Sequence, residues 1–286
     1  MKEKLQVLHV GKYFPPYAGG METFLRDLMA SLARRGVRSG ALVHRSDLSL
    51  FSTDESFRVD QEELPITRAA VWLRLMFTPI SPAFPLLLHR MIKRHSPDIL
   101  HLHMPNVSAF WALVLPSARR LPWVIHWQSD VPVSQHKLGL RLFYQLYRPF
   151  ERAMLARADT VIVTSPPYLE SSEPLAEFHD KCTVVPLGLD PESLPEAAHN
   201  NLEDSDHRLR VLAIGRLTYY KGFEYLIRAA SLTPNAVFHL VGTGELEDSL
   251  QRLAAEIGVL DRITFHGKLP AAQLAEQYAR CNCLCL

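Results

Sequence analysis

Strand-length apolar runs alternate with helix-length amphipathic stretches along this chain, and the alternation runs twice, once on each side of a polar interval at 191–207. Runs separated by helices cannot close as hairpins; they need crossover connections and therefore parallel sheets. Residues 5–10 read as a buried parallel strand, 11–20 as a Gly/Pro-rich loop, 21–35 as an amphipathic helix closed by Gly36, and 37–43 as a second strand. That order opens a doubly wound α/β sheet.

The pattern continues with a polar stretch at 47–63, read as a surface excursion, and a helix at 85–95 ended by Pro97. Strands follow at 99–102, 123–126, 160–164 and 182–185. Two helices between them should be broken by proline, 109–118 at Pro116 and 138–156 near Pro149. The interval 191–207 has no apolar period and reads as a linker. Beyond it come strands at 209–214, 236–241 and 263–265, helices at 222–231, 245–257 and 270–281, and the start of a strand at 282–286. The expected domains are therefore 1–190 and 208–286, joined by 191–207, the second with its last strand only begun.

The formal net charge of +1 excludes a strongly basic nucleic-acid binder. Charge is uneven, however. Residues 64–157 carry 12 Lys/Arg and only 3 Asp/Glu, which points that region toward something anionic. Four cysteines, at 182, 281, 283 and 285, are too few for a disulfide framework in a chain of 286 residues. The last three recur at period 2, as thiols on one face of a buried strand would. No signal peptide is read at the start, and the most apolar stretch, 71–92, is interrupted by charges and prolines, so no membrane span is expected.

Two strings can carry chemistry. Gly19 and Gly20 directly precede the first helix, where free backbone N–H groups make an anion site; a tight turn explains the same string as well. The string is not G-x-G-x-x-G, which counts against a dinucleotide oxidoreductase. Arg216 and Lys221 lie in the loop after the 209–214 strand and before a helix, at the strand end where open α/β sheets bind ligands. A guanidinium fork, an ammonium and a helix N-terminus together suit a diphosphate. His101 and His103 alternate onto one face of their strand, but no carboxylate joins them in sequence, so they are left outside the site. Asp204-Ser205-Asp206 spells a metal-binding D-x-D string but falls in the linker and reads as solvated loop.

FPPYAGGMETF at 14–24, IHWQSD at 125–130, VVPLGLD at 184–190, AIGRLTYYKG at 213–222 and LVGTGELEDSL at 240–250 stand in an order and spacing that resembles the retaining GT-B glycosyltransferases of family 4, also called glycosyl transferase group 1. The resemblance covers essentially the whole chain. It implies two Rossmann-like domains with an active site in the cleft between them, and transfer of a sugar from a nucleoside diphosphate to a glycan or lipid-linked acceptor. It implies no catalytic metal and no other cofactor; the scarce cysteines and the lack of a signal peptide point to a cytoplasmic enzyme, with peripheral contact to an anionic membrane on its inner face as one reading. GDP-mannose is the first donor expected, with UDP-sugars next; the basic 64–157 region, with Trp72, Phe77 and Phe84 nearby, suggests the membrane, and a plain solvated face explains it equally well.

Carried over residue by residue, the resemblance puts Gly19 and Gly20 at the donor diphosphate, and Arg216 and Lys221 on its charge. His126 matches the active-site histidine and Asp130 an acidic acceptor-side position. Gly242 and Gly244 match a glycine loop near the donor, and Gly267 and Lys268, beside His266, match contacts to the nucleobase. The family places a pair of glutamates just after the strand that begins at Asn282, and the sequence stops at Leu286, so a C-terminally truncated chain with a weakened donor site is expected. A GT-B sugar-nucleotide epimerase and a non-catalytic truncated fragment stay open as alternatives.

Overall fold

The computed structural model describes residues 4–17, 19–75, 78–131, 138–188 and 208–285. The chain divides into two compact units, Met1–Asp190 and Pro191–Leu286. The expected linker, together with the D-x-D string and Phe77, lies outside the described residues.

In the first unit β1 (Gln6–Val10) leads through the glycine loop into α1 (Gly20–Arg34), then β2 (Arg38–His44). Gly36 closes the turn after α1 at φ +79°, in the left-handed region where a Cβ is strained. The hairpin of β3 (Thr53–Val59) and β4 (Glu62–Ala69) follows, then a small one of β5 (Leu73–Leu75) and β6 (Thr78–Ile80). Next come α2 (Phe84–His95), β7 (Ile99–Met104), two single turns α3 (Trp111–Val114) and α4 (Pro116–Arg119), and β8 (Trp123–Trp127). The unit ends with α5 (Leu138–Arg157), β9 (Thr160–Val163), α6 (Pro166–Ser171) and β10 (Cys182–Val184). Its eight strands lie in the order β10-β9-β8-β7-β1-β2-β4-β3, all neighbours parallel except β3 with β4.

The second unit repeats the plan with β11 (Leu209–Ile214), α7 (Phe223–Ser231), β12 (Ala236–Val241), α8 (Glu247–Glu256), β13 (Ile263–Gly267), α9 (Ala271–Arg280) and β14 (Cys283–Cys285). Its sheet is wholly parallel, ordered β13-β12-β11-β14. The core gathers Val211, Ala213, Phe223, Ile227, Phe238, Leu240 and Leu250. Each unit is a Rossmann-like α/β fold built on a largely or wholly parallel sheet.

Several expectations are corrected. The polar 47–63 stretch holds β3, an edge strand whose first four residues face water and whose Val59 reaches the core. Pro149 does not interrupt α5, which is continuous through it. The proline is exposed, so the carbonyl it leaves unpaired can bind water, while Tyr147, Met154 and Leu155 hold the helix to the core. Pro116 does break its segment, and it starts α4. Cys283 and Cys285 are exposed rather than buried, because β14 is an edge strand of its sheet. Phe84 is fully buried and cannot face a membrane, whereas Trp72 is 55% exposed beside exposed Leu73 and Leu75. No helix among the described residues is long and apolar enough to cross a membrane.

Candidate functional site

In the second unit three loops leave the C-terminal ends of adjacent parallel strands. The backbone stitches them together. Gly215 donates to the Val241 carbonyl at 2.9 Å, Leu217 to Thr243 at 3.1 Å, Leu246 to Leu217 at 3.1 Å, and Gly242 to Gly267 at 2.8 Å. Side chains could not be accommodated at this seam. A Cβ at Gly242, whose φ is +138°, would lie 1.9 Å from the Gly215 oxygen, and one at Gly244 2.2 Å from the Leu217 oxygen. Here the glycines' task is to let backbone touch backbone.

The seam holds up a short strand-to-helix loop. Leu217 and Thr218 are buried anchors, whereas Arg216 and Lys221 are exposed. Neither cation pairs with a carboxylate among the described residues. Gly222, at φ +70°, turns the chain into α7, so both cations stand just before a helix N-terminus. Positive charge that is unpaired among the described residues, a positive helix end and open backbone are features that suit an anion. Gly267 (φ +63°) and exposed Lys268 follow β13, and His266 Nε2 sits 2.9 Å from His239 Nδ1. The structure thus gathers the Arg216 loop, Gly242, Gly244 and Gly267 at one strand edge.

In the first unit Gly20 has no atom within 4 Å of where its Cβ would be, so the start of α1 is open on that side. Gly19 is not. A Cβ there would meet Glu22 Oε2 at 2.0 Å, so the chain's own carboxylate leans on the expected anion cradle. Asp130 uses one oxygen for three donors: Oδ1 accepts from Trp127 Nε1, Tyr168 Oη and Ser172 Oγ, each at 2.8 Å. That geometry ties the end of β8 to α6 and makes Asp130 an anchor of the loop.

Sequence alternation sets up the remaining feature. Leu8, Val10, Leu100, Leu102, Met104, Ile125 and Trp127 face one core. His9, His101, His103 and His126 occupy the alternate positions. Register pairs His9 with His101 and His103 with His126, so all four imidazoles share the other face of the sheet. Phe24 of α1 packs on His126 at a centroid distance of 4.6 Å. All four are buried. Burial pushes His9 down to about 3 and His126 down to about 4, and holds His101 and His103 well below the ordinary histidine range. His126 is therefore neutral at pH 7, and neither of its ring nitrogens has a hydrogen-bond partner among the described residues.

His101 and His103, outside the site on sequence alone, and His9, which no motif singles out, stand beside His126 on the same face. A signal existed, since His9, His103 and His126 are each the penultimate residue of their strands. His44 stands apart. Its Nδ1 lies 2.7 Å from the Lys12 carbonyl and so carries the proton, which makes Nε2 the acceptor of the Ser108 hydroxyl at 2.9 Å.

Glu151 of α5 was also unforeseen. It is buried, accepts from Tyr144 Oη at 3.1 Å, and its carboxyl is pushed up to about 7, chiefly by burial and also by nearby Asp130. A carboxyl raised on folding stabilises the fold below its unfolded value, and that contribution is lost as pH rises through about 7. Glu151→Gln is expected to melt higher than the parent at pH 8, by on the order of 2 kcal/mol, with the gap closing by pH 5. Thermal melts across that range test it, and a gap that widens toward acid would refute the assignment.

Residues 19–188 match the family model of the glycosyl transferase 4-like domain, and residues 196–286 that of the glycosyl transferases group 1. The chain is 30% identical over 276 residues to the O-antigen chain mannosyltransferase C of Escherichia coli, covering 93% of this chain and 68% of that protein. It is 27% identical over 283 residues to the D-rhamnosyltransferase WbpZ of Pseudomonas aeruginosa, covering 95% and 69%. Among solved structures, sucrose-phosphate synthase from Thermosynechococcus elongatus superposes with a TM-score of 0.72 at 20% identity, over 98% of this chain and 75% of that one. Anabaena HepE in complex with UDP and glucose gives 0.66 at 17% identity, over 98% and 73%. These two likenesses concern the fold.

Proposed function

Because the chain belongs to the group 1 glycosyltransferases and is a glycosyltransferase, we propose that it moves a mannose-type sugar from a GDP-sugar to a glycan or lipid-linked acceptor, with retention at the anomeric carbon. The observation that carries the donor half is the pair of cations, Arg216 and Lys221, unpaired among the described residues and held before the α7 N-terminus by the glycine seam.

Departure of the diphosphate is the demanding step, and fixed positive charge where that charge develops lowers its barrier. In this reading Arg216 grips two phosphate oxygens and Lys221 adds a point charge. The Gly242–Gly244 loop gives the donor close access to backbone, and Gly267 and Lys268 serve the nucleobase. His126 is neutral, so it serves as a hydrogen-bonding group toward the sugar and leaves charge neutralisation to the two cations. Asp130 acts by positioning the loop after β8 on the acceptor side. The reaction so described uses no metal for the leaving group. The relatives favour a mannose-type donor, since one is an O-antigen mannosyltransferase and another a D-rhamnosyltransferase.

Melting the protein with GDP, UDP and ADP, each titrated over the same range, tests the donor. A ligand that binds only the folded state raises stability by mass action. GDP alone is expected to raise the melting temperature. A shift with UDP and none with GDP would overturn the mannose-type donor, and no shift with any nucleotide would overturn donor binding by this chain.

A further inference from the structure

Three of the four imidazoles clustered on one face of the first unit's sheet have no part in the reaction proposed above. We propose that His9, His101 and His103 form a binding site for a divalent transition-metal ion of the zinc type, separate from the leaving-group chemistry. One nitrogen from each ring lies within 4.8 Å of the others, and all three residues are buried. In a tetrahedral site with Zn–N bonds of about 2.0–2.1 Å, ligand nitrogens stand about 3.3 Å apart. His9 Nδ1 and His103 Nε2 are already 3.2 Å apart. The His101 ring centroid is 5.0 Å from that of His9 and 4.5 Å from that of His103, so small ring rotations close the third side.

Donor chemistry selects the ion. Three imidazoles with neither carboxylate nor thiol among them offer nothing to calcium or magnesium, which take oxygen ligands, and suit zinc-type ions. Unspent bonding capacity points the same way. His101 Nε2 is buried without a hydrogen-bond partner among the described residues. Buried imidazole nitrogens are costly in that state, and a metal is one group that takes up their lone pairs.

An outer partner is in place as well. Gln128 Nε2 lies 3.4 Å from His103 Nδ1, while Gln128 Oε1 is buried with no donor. If His103 gives Nε2 to the ion, Nδ1 carries the proton, and the Gln128 amide turned over accepts it through Oε1. That satisfies both atoms and fixes the ring, as partners of metal-binding histidines do. His126, with its ring 5.6 Å from both His101 and His103 and both nitrogens unpartnered among the described residues, stands on the remaining side. An ion here would staple β1 to β7 under Phe24.

The whole chain, stripped with a chelator, is titrated with Zn²⁺ by calorimetry, and the zinc-loaded protein is examined by X-ray absorption. The expected result is a single equivalent bound, a first shell of imidazole nitrogen without sulfur, and a raised melting temperature. His101→Gln is expected to weaken binding by at least about tenfold. The combined Cys281→Ser, Cys283→Ser, Cys285→Ser variant and His266→Gln are expected to leave it unchanged. No binding, sulfur in the first shell, or equal affinity in folded His101→Gln would each overturn the site. The absorption spectrum uses the unaltered chain, so it decides the matter even if His101→Gln does not fold.

Discussion

Replacing Arg216 by alanine is expected to lower kcat for sugar transfer by about 10²–10³-fold, the usual cost of deleting a fixed group that meets developing charge. The substitution should leave folding alone, because Arg216 is exposed and pairs with no described carboxylate. Lys221→Ala should be costly for the same reason. Arg216→Lys should recover only part of the loss, since an ammonium keeps the charge but not the two-pronged grip. Steady-state kinetics with the donor varied would measure this. A variant within twofold of the parent would mean that the diphosphate is held elsewhere.

Gly242→Ala is expected to be the most damaging small substitution in the second unit. The added methyl would fall 1.9 Å from the Gly215 carbonyl oxygen, a backbone atom that cannot swing aside, at a φ of +138° that L residues rarely adopt. Overpacking and a strained backbone each cost about 1–3 kcal/mol, so a loss of roughly 3–5 kcal/mol follows if the seam stays closed. If the seam opens instead, the Arg216 loop loses its support and nucleotide binding goes with it. Gly258→Ala is the control: its φ is also unfavourable, at +72°, but no atom lies within 4 Å. It should cost about 1 kcal/mol. Denaturant unfolding of the two variants separates strain from collision, and equal losses would refute the account.

The parts of this design differ in how far the sequence discloses them. Strands β1, β8, β11 and β12 are short apolar runs bounded by breakers, so each announces itself locally. Arg216 and Lys221 stand out by their place after a strand, whereas Gly242 and Gly244 are pointed to only by the family resemblance. What the two glycines do there, letting one loop lie on another, depends on a contact between segments that no local pattern encodes. The histidine cluster was half legible: His101 and His103 are neighbours in sequence, but His9 and His126 join them only through strand register. Glu151 was invisible because a carboxylate in an amphipathic helix reads as surface until the packing around it is known. Pro149 misled in the opposite direction, since its helix-breaking tendency is outweighed by the side chains that dock on either side of it.

The same packing logic bears on how copies of this chain meet. β3 forms one border of the eight-stranded sheet, and it presents Thr53, Asp54, Glu55 and Ser56 to solvent. Charged and polar residues along an open border resist strand-to-strand annealing between molecules. The composition that made this segment look like a loop is also what guards it. Pairing of this border with its own copy about a two-fold axis would bring Asp54 and Glu55 of one molecule near those of the next, which disfavours β3 as a surface for self-association.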